Sequence, residues 1–280
     1  MSYKVITGMK KYIVSLLTAL VVPLTYSQPN YIGSYALYSY ESKSYLVHQD
    51  LKQTKSIASI TKLFTAITIL VSGVDLDEKI KVNGRSNGKV PSQALMSRKD
   101  LLRAMIISSD NKAAESLANN HPGGFDKFII DVNAYTANHL LYNTNLTDST
   151  GLLSTNTSNT SDLIEFLYLI KDNPIIRSIA AERVAVLNLA KGKKTIKINL
   201  HNTNPDLFVY DNILISKTGF TNAAGRCLLM LIEKNNEKYA VVILGQPNAK
   251  TRSKLVNTLL HIETEAEPIL KITTSIEFYL

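Results

Sequence analysis

The chain has 280 residues, 45% of them hydrophobic, which is enough apolar material for a sizeable core and excludes a largely disordered protein. Its formal charge of +8 is a moderate surplus, and no basic stripe interleaved with aromatic residues marks a nucleic-acid surface. Cys227 is the single cysteine, so an internal disulfide is excluded.

The first 27 residues stand apart. Lys4, Lys10 and Lys11 precede an apolar run from Tyr12 to Leu24, which ends at Thr25-Tyr26-Ser27; a basic segment, an apolar segment and small residues in that order are an export signal. The apolar run is about 13 residues and contains Pro23, whereas a helix needs roughly 20 to span a bilayer. The pattern therefore predicts a signal peptide removed after Ser27, and one domain from residue 28 to residue 280, exported to the periplasm or cell envelope without a membrane span.

Farther on, Tyr35 to Tyr40 and Tyr45 to His48 are short aromatic and β-branched runs around Glu41-Ser42-Lys43-Ser44, which predicts a β-hairpin. From Ser59 to Leu70, apolar residues at Leu63, Phe64, Ile67 and Leu70 recur at helical spacing with further apolar residues between them, so this helix is expected to be buried on most sides. Ser97-Arg98-Lys99-Asp100 is a capping-box pattern ahead of a second helix over Leu101 to Ile107. A polar break at Ser108 to Asn111 leads into a third, Lys112 to Ala118, and the Asn/Thr/Ser-rich stretch from Asn143 to Ser161 reads as loop.

Toward the C-terminus the pattern changes to strands at Ile213 to Ser216, Arg226 to Ile232 and Tyr239 to Leu244, the last two joined by the turn Lys234-Asn235-Asn236-Glu237. Cys227 lies in the second of these apolar runs and is expected to be a buried small hydrophobe. An amphipathic run from Lys254 to Ile262 predicts a last helix. Strands at both chain ends with helices between them predict an α+β fold, in which terminal strands share one antiparallel sheet around a helical insertion over roughly residues 70 to 195.

Three short patterns carry chemistry: Ser59-Ile60-Thr61-Lys62, Ser109-Asp110-Asn111 and Lys217-Thr218-Gly219. Each alone has an ordinary reading. Ser-x-x-Lys recurs at Ser86 to Lys89 and at Ser109 to Lys112, and a helix-capping serine followed by a snorkelling lysine explains most such matches. Ser-Asp-Asn is a common turn that caps a helix, and Lys-Thr-Gly can simply be the polar end of a strand. What distinguishes Ser59 is its context. It opens a strongly apolar helix, so its hydroxyl sits at the positive end of the helix dipole and Lys62 follows one turn later on the same face. A lysine buried there near other cations loses proton affinity and becomes available as a base.

Together, and in this order, the three patterns resemble those of the penicillin-recognising serine acyl-transferases. The flanking blocks sharpen the resemblance: Ala58-Ser59-Ile60-Thr61-Lys62-Leu63, Met105 through Ala114, Asp148-Ser149-Thr150-Gly151-Leu152, and Ser216 through Leu228. They are similar to the low-molecular-mass penicillin-binding proteins of the D-alanyl-D-alanine carboxypeptidase and endopeptidase family, over essentially all of the chain after the signal segment. The resemblance implies a β-lactamase/transpeptidase-like fold and a serine D,D-peptidase acting on peptidoglycan stem peptides, with β-lactams as covalent inhibitors and no cofactor or metal. It implies that Ser59 attacks the carbonyl of a D-alanine, that Lys62 takes the proton, and that Ser109, assisted by Lys217, passes a proton to the leaving amine. Asn111 would bond the substrate peptide, Thr218 and Thr221 its carboxylate, and the backbone N–H groups of Ser59 and Phe220 beside Gly219 the oxyanion.

Rival readings are weaker. Gly84-Arg85-Ser86-Asn87-Gly88 matches a nucleophile elbow, but that motif needs a helix after it, and Lys89-Val90-Pro91 is a poor helix start. A class A β-lactamase would place a deacylating glutamate in the loop after the second pattern; Asn143 to Leu152 contains none. A non-hydrolytic penicillin sensor would need a membrane-spanning signalling segment. The short stretch after Gly219 leaves no room for the extra β-rich domain of the carboxypeptidase branch, and Gly225-Arg226-Cys227-Leu228 resembles the endopeptidase branch, which cleaves cross-links. Arg226 itself is expected to face solvent at a strand end.

Overall fold

The computed structural model describes residues 31–191 and 194–261; the expected signal segment and Ile262 at the end of the last expected helix lie outside them. The first aromatic runs form β1 (Ser34–Ser39) and β2 (Ser44–Gln49), paired antiparallel as a hairpin. After β3 (Lys55–Ser56), one turn of 3-10 helix at Ala58–Ile60 runs straight into α1 (Thr61–Val71). This helix is buried from Thr61 through Ile69, which is why its apolar residues surround it instead of forming one stripe.

A two-stranded ribbon of β4 (Lys79–Lys81) and β5 (Leu95–Ser97) ends where the Ser97 hydroxyl accepts the Asp100 N–H at 3.1 Å, capping α2 (Arg98–Ile107) as the capping pattern predicts. Asp110 caps α3 (Asn111–Asn119) in the same manner. Beyond these come α4 (Gly124–Asn138), β6 (Thr157–Ser158), α5 (Thr160–Ile170), α6 (Pro174–Ala180), and a hairpin of β7 (Val184–Lys191) and β8 (Lys194–His201). The chain finishes its described part with β9 (Ile213–Thr221), β10 (Gly225–Lys234), β11 (Glu237–Gln246) and α7, helical over 249–261.

The main sheet has the order β2-β1-β11-β10-β9, antiparallel throughout, so the two ends of the sequence meet where Ala36 pairs with Val242. Leu229, Leu231 and Val242 on one face pack with the helices, where the Phe64 ring of α1 and the Phe166 ring of α5 stack 3.6 Å apart. Leu228, Met230 and Val241 on the other face pack with Leu255, Val256 and Leu259 of α7. Covering both faces removes the usual polar alternation, and β10 and β11 accordingly read as unbroken apolar runs. Among the described residues, no helix is long and apolar enough to cross a membrane.

Two details differ from the sequence reading. Edge strand β9 does not stop at Ser216; it carries Lys217-Thr218-Gly219 in full register with Leu229, Leu228 and Cys227 and ends at Thr221. Polar residues persist in a strand here because its outer edge packs against the Ser59 turn, not against another strand. The stretch from residue 143 to 161 is mostly irregular as expected, but α5 already begins at Thr160. The elements α4, α5, α6 and β7–β8 add to those legible in the sequence; in α4 only Phe128, Val132 and Thr136 are buried, too narrow a stripe to announce itself.

Candidate active site

The Ser59 turn is held between two glycines from distant parts of the chain. Gly151, at φ +80°, lies so close that a Cβ there would sit 1.9 Å from the Ala58 carbonyl oxygen, and a Cβ on Gly219 would sit 2.9 Å from the Ser59 nitrogen. No side chain fits either position. Ala58 itself adopts φ +46°, a left-handed conformation that costs a non-glycine residue about 1–2 kcal/mol. From Ile57 to Leu63 every residue is buried except Ser59, which alone keeps partial access to solvent.

Lys62 lies in the first turn of α1 and is completely buried. Its ammonium donates to the Ser59 hydroxyl at 3.0 Å, to Asn111 Oδ1 at 2.7 Å and to the Thr150 carbonyl at 2.5 Å. Those three partners use all three of its donors when it is charged. Burial nonetheless pushes its pKa down to about 7, against the upward pull of the Asp148, Asp110 and Glu115 carboxylates. Desolvation, not neighbouring cations, is what weakens its hold on a proton.

The acceptor at Thr150 is fixed by its own neighbourhood. Asp148 accepts from the Thr150, Gly151 and Leu153 N–H groups, the Thr150 hydroxyl and the Asn156 amide. Burial favours its protonated form, but these hydrogen bonds win and its pKa is lowered. The Thr65 hydroxyl donates to the Ser149 carbonyl at 2.8 Å and ties this loop to α1.

Of the second pattern, Asn111 reaches Lys62, and Ser109 sits in the turn between α2 and α3 at φ +57°, half-buried. Asp110 between them is structural. It caps α3 through the Ala113 N–H and accepts from the Lys89 and Val90 N–H groups, so it pins the 89–90 loop. The ordinary capping reading holds for this middle residue.

Lys217, the other fully buried lysine among the described residues, donates to the Thr218 carbonyl at 3.0 Å. Its pKa falls well below the usual lysine value because of burial first, then the charges of Lys62 and Arg252. The hydroxyl of Thr218 donates to that of Thr203 at 2.7 Å. Thr221 accepts from the Ala224 N–H at 3.1 Å and so shapes the β9–β10 turn. Phe220 is half-exposed under the Arg226 guanidinium, which stacks 3.8 Å from its centroid. Arg226 is thus half-buried, keeping part of the solvent exposure its strand-end position suggests while its Nε is buried without a hydrogen-bond partner among the described residues.

Arg252 on α7 is the residue the sequence did not reveal. It is 4% exposed, close enough to Lys217 to depress that lysine's pKa, and its Nε likewise has no partner among the described residues. An arginine in an amphipathic helix resembles any other surface cation until tertiary packing buries it. Buried Asp206 offsets part of its charge. Arg226 lies near Arg252, and Arg252 near Lys217, so positive charge gathers behind the β9 strand.

The elbow-like segment carries no such arrangement. β4 precedes it, but β5 and not a helix follows, and the Glu115 carboxylate accepts from the Arg85 and Ser86 N–H groups and the Ser86 hydroxyl. Ser86 anchors a surface turn.

A family model described as D-alanyl-D-alanine carboxypeptidase matches residues 25–248. The chain is 36% identical over 208 residues to the D-alanyl-D-alanine endopeptidase of Escherichia coli (strain K12), covering 71% of this chain and 66% of that protein. It is 34% identical over 199 residues to the D-alanyl-D-alanine endopeptidase of Pseudomonas aeruginosa, covering 67% and 63%. The chain therefore spans slightly less than two thirds of the length of these curated relatives. Among solved structures, the Streptomyces K15 DD-transpeptidase superposes with a TM-score of 0.78 at 20% identity, over 85% of this chain and 98% of that one. Penicillin-binding protein D2 from Listeria monocytogenes, in its cefotaxime-bound form, does so at 0.72 and 25% identity, over 84% and 99%. The fold is the β-lactamase/transpeptidase-like one that the resemblance of the motifs implies.

Proposed function

Because this chain belongs to the D-alanyl-D-alanine carboxypeptidase family, we propose that it is an exported serine D,D-peptidase acting on peptidoglycan stem peptides, which cleaves D-alanyl cross-links through an acyl-enzyme on Ser59. One observation carries the reading: the Lys62 amine is completely buried, stands 3.0 Å from the Ser59 hydroxyl and has a pKa near 7. A base poised near neutrality within hydrogen-bond reach is what a serine nucleophile needs.

In this reading the terminal carboxylate of the substrate is held by the Thr218 and Thr221 hydroxyls under the charges of Lys217 and Arg252. Asn111 has its carbonyl oxygen occupied by Lys62, which leaves its amide N–H groups for a peptide carbonyl. Ser59 Oγ attacks the D-alanine carbonyl carbon while its proton passes to neutral Lys62, and the oxyanion forms between the N–H groups of Ser59 and Phe220. Protonation of the leaving amine runs through Ser109, with the positive field of Lys217 behind it. The amine departs, and water hydrolyses the ester to release Ser59.

The endopeptidase assignment is supported by the names of the relatives in Escherichia coli and Pseudomonas aeruginosa and by the Gly225-Arg226-Cys227-Leu228 segment. Export is supported by the basic and apolar N-terminal pattern. The cefotaxime-bound relative supports β-lactams as covalent inhibitors at Ser59. Digestion of purified peptidoglycan followed by separation of the fragments tests the assignment. Loss of cross-linked dimers is the expected outcome; shortening of pentapeptides alone would make the chain a carboxypeptidase, and acylation by penicillin without any turnover of peptide would make it a sensor.

A further inference from the structure

The residues from His201 to Thr203, where β8 ends, make hydrogen bonds to the two residues just before Ser109 and to Thr218 of the Lys-Thr-Gly strand. The His201 N–H donates to the Ser108 hydroxyl at 3.2 Å, and that hydroxyl lies 3.4 Å from the His201 carbonyl. The Thr203 N–H donates to the Ile107 carbonyl at 3.2 Å, immediately before the left-handed turn that presents Ser109. From the same residue the side-chain hydroxyl accepts the proton of Thr218 at 2.7 Å. Thr203 is thus a single-residue strut: its main chain grips the end of α2, and its side chain grips the Lys-Thr-Gly strand across the cleft.

We propose that Thr203 is a positioning residue that aims the Thr218 hydroxyl at the substrate carboxylate; the proposal rests on the reading of Thr218 as a carboxylate ligand. A hydroxyl both donates and accepts, so a small rotation of the Thr203 side chain lets the pair reverse. In the free protein Thr218 donates to Thr203. When a carboxylate arrives, Thr218 turns its proton to the anion and accepts in its place the proton of Thr203. The resulting chain, from Thr203 to Thr218 to carboxylate, polarises the final donor more than an isolated threonine would be. Neither sequence spacing nor helix or strand periodicity marks Thr203, because the contact joins residues from two separate ribbons.

Thr203 is exposed at the rim, so its side chain can be changed with little damage to the core. In the full chain, Thr203→Val keeps the branched shape and the main-chain bond but removes the hydroxyl. For a stem-peptide dimer joined by a D-alanyl cross-link it is expected to raise KM about fivefold with kcat nearly unchanged, the size of one net hydrogen bond, and Thr203→Ser is expected to restore it. The same dimer with the carboxyl beside the scissile bond converted to a carboxamide should respond little, so the ratio of acid to amide kcat/KM falls about fivefold. That ratio is independent of how much protein is folded, which separates positioning from a merely structural role. An active wild-type chain whose Val variant leaves the ratio unchanged overturns the proposal alone. A wild-type chain that cleaves neither peptide overturns the reading of the whole site, and this proposal with it.

Discussion

Ser59 with Lys62 and Ser86 with Lys89 present the same hydroxyl-to-amine spacing, yet they differ in every property that chemistry needs. Lys62 is sealed from solvent, and burial brings its pKa to about 7 while it touches Ser59. Lys89 extends along the surface to the Asn199 carbonyl at 3.0 Å, and the Ser86 hydroxyl is committed to Glu115. The first pair lies on continuous helix, where three residues make nearly one turn and bring the side chains together. The second lies in a loop, where the same spacing implies no contact. Reactivity therefore comes from the low-dielectric seal around an amine, and the pattern only nominates where to look.

The sharpest way to break that contrast is at the two serines. Ser59→Ala is expected to abolish labelling by a fluorescent penicillin and to lower peptide hydrolysis by roughly 10⁴-fold or more, as loss of a nucleophile does. Persistent labelling of that variant at wild-type stoichiometry would remove Ser59 from the chemistry.

A second, smaller effect belongs to the base. Lys62→Ala should slow acylation by about 10²- to 10⁴-fold, the usual contribution of general base catalysis. In the unaltered chain the acylation rate should fall about tenfold per pH unit below about pH 7, where Lys62 gains the proton that disables it, and level off above. Stopped-flow acylation across pH 5 to 10 reads this directly; a rate still climbing about tenfold per unit up to pH 10, as an amine at the ordinary lysine value of 10.5 would give, would mean that burial does not tune the amine. The same depressed pKa makes the unfolded chain bind a proton that the folded one rejects between about pH 7 and 10.5, so Lys62 contributes a stability that rises with pH across that window.

The smallest effect is expected at the look-alike. Ser86→Ala should leave acylation within about twofold of wild type and cost about 1 kcal/mol of stability, the worth of one hydrogen bond to Glu115, readable in urea denaturation. A large loss of acylation there would erase the distinction between the two patterns.

Much of the fold was legible because its signals are local. The Ser97 cap, the all-round apolar face of α1 and the apolar runs of β10 and β11 each follow from short-range periodicity. Helix α4 and the β7–β8 ribbon were less so, since α4 presents a narrow apolar stripe and the two strands pair only with each other. In the site, Ser59 and Lys62 are one helical turn apart and could be paired on paper. Arg252, the Thr150 carbonyl and Thr203 could not: they reach the site from α7, an irregular loop and the end of a ribbon.

By itself, the order of residues determined the α+β class, the buried helix behind Ser59 and the three motifs, because helix and strand periods and motif spacings are written over a few residues at a time. Only the tertiary structure decided which serine meets a buried amine, which amine has its pKa brought down to about 7 and which arginine lies near Lys217. Those properties depend on how completely water is excluded and on which charges end up adjacent, and both are set by packing between segments far apart in the chain.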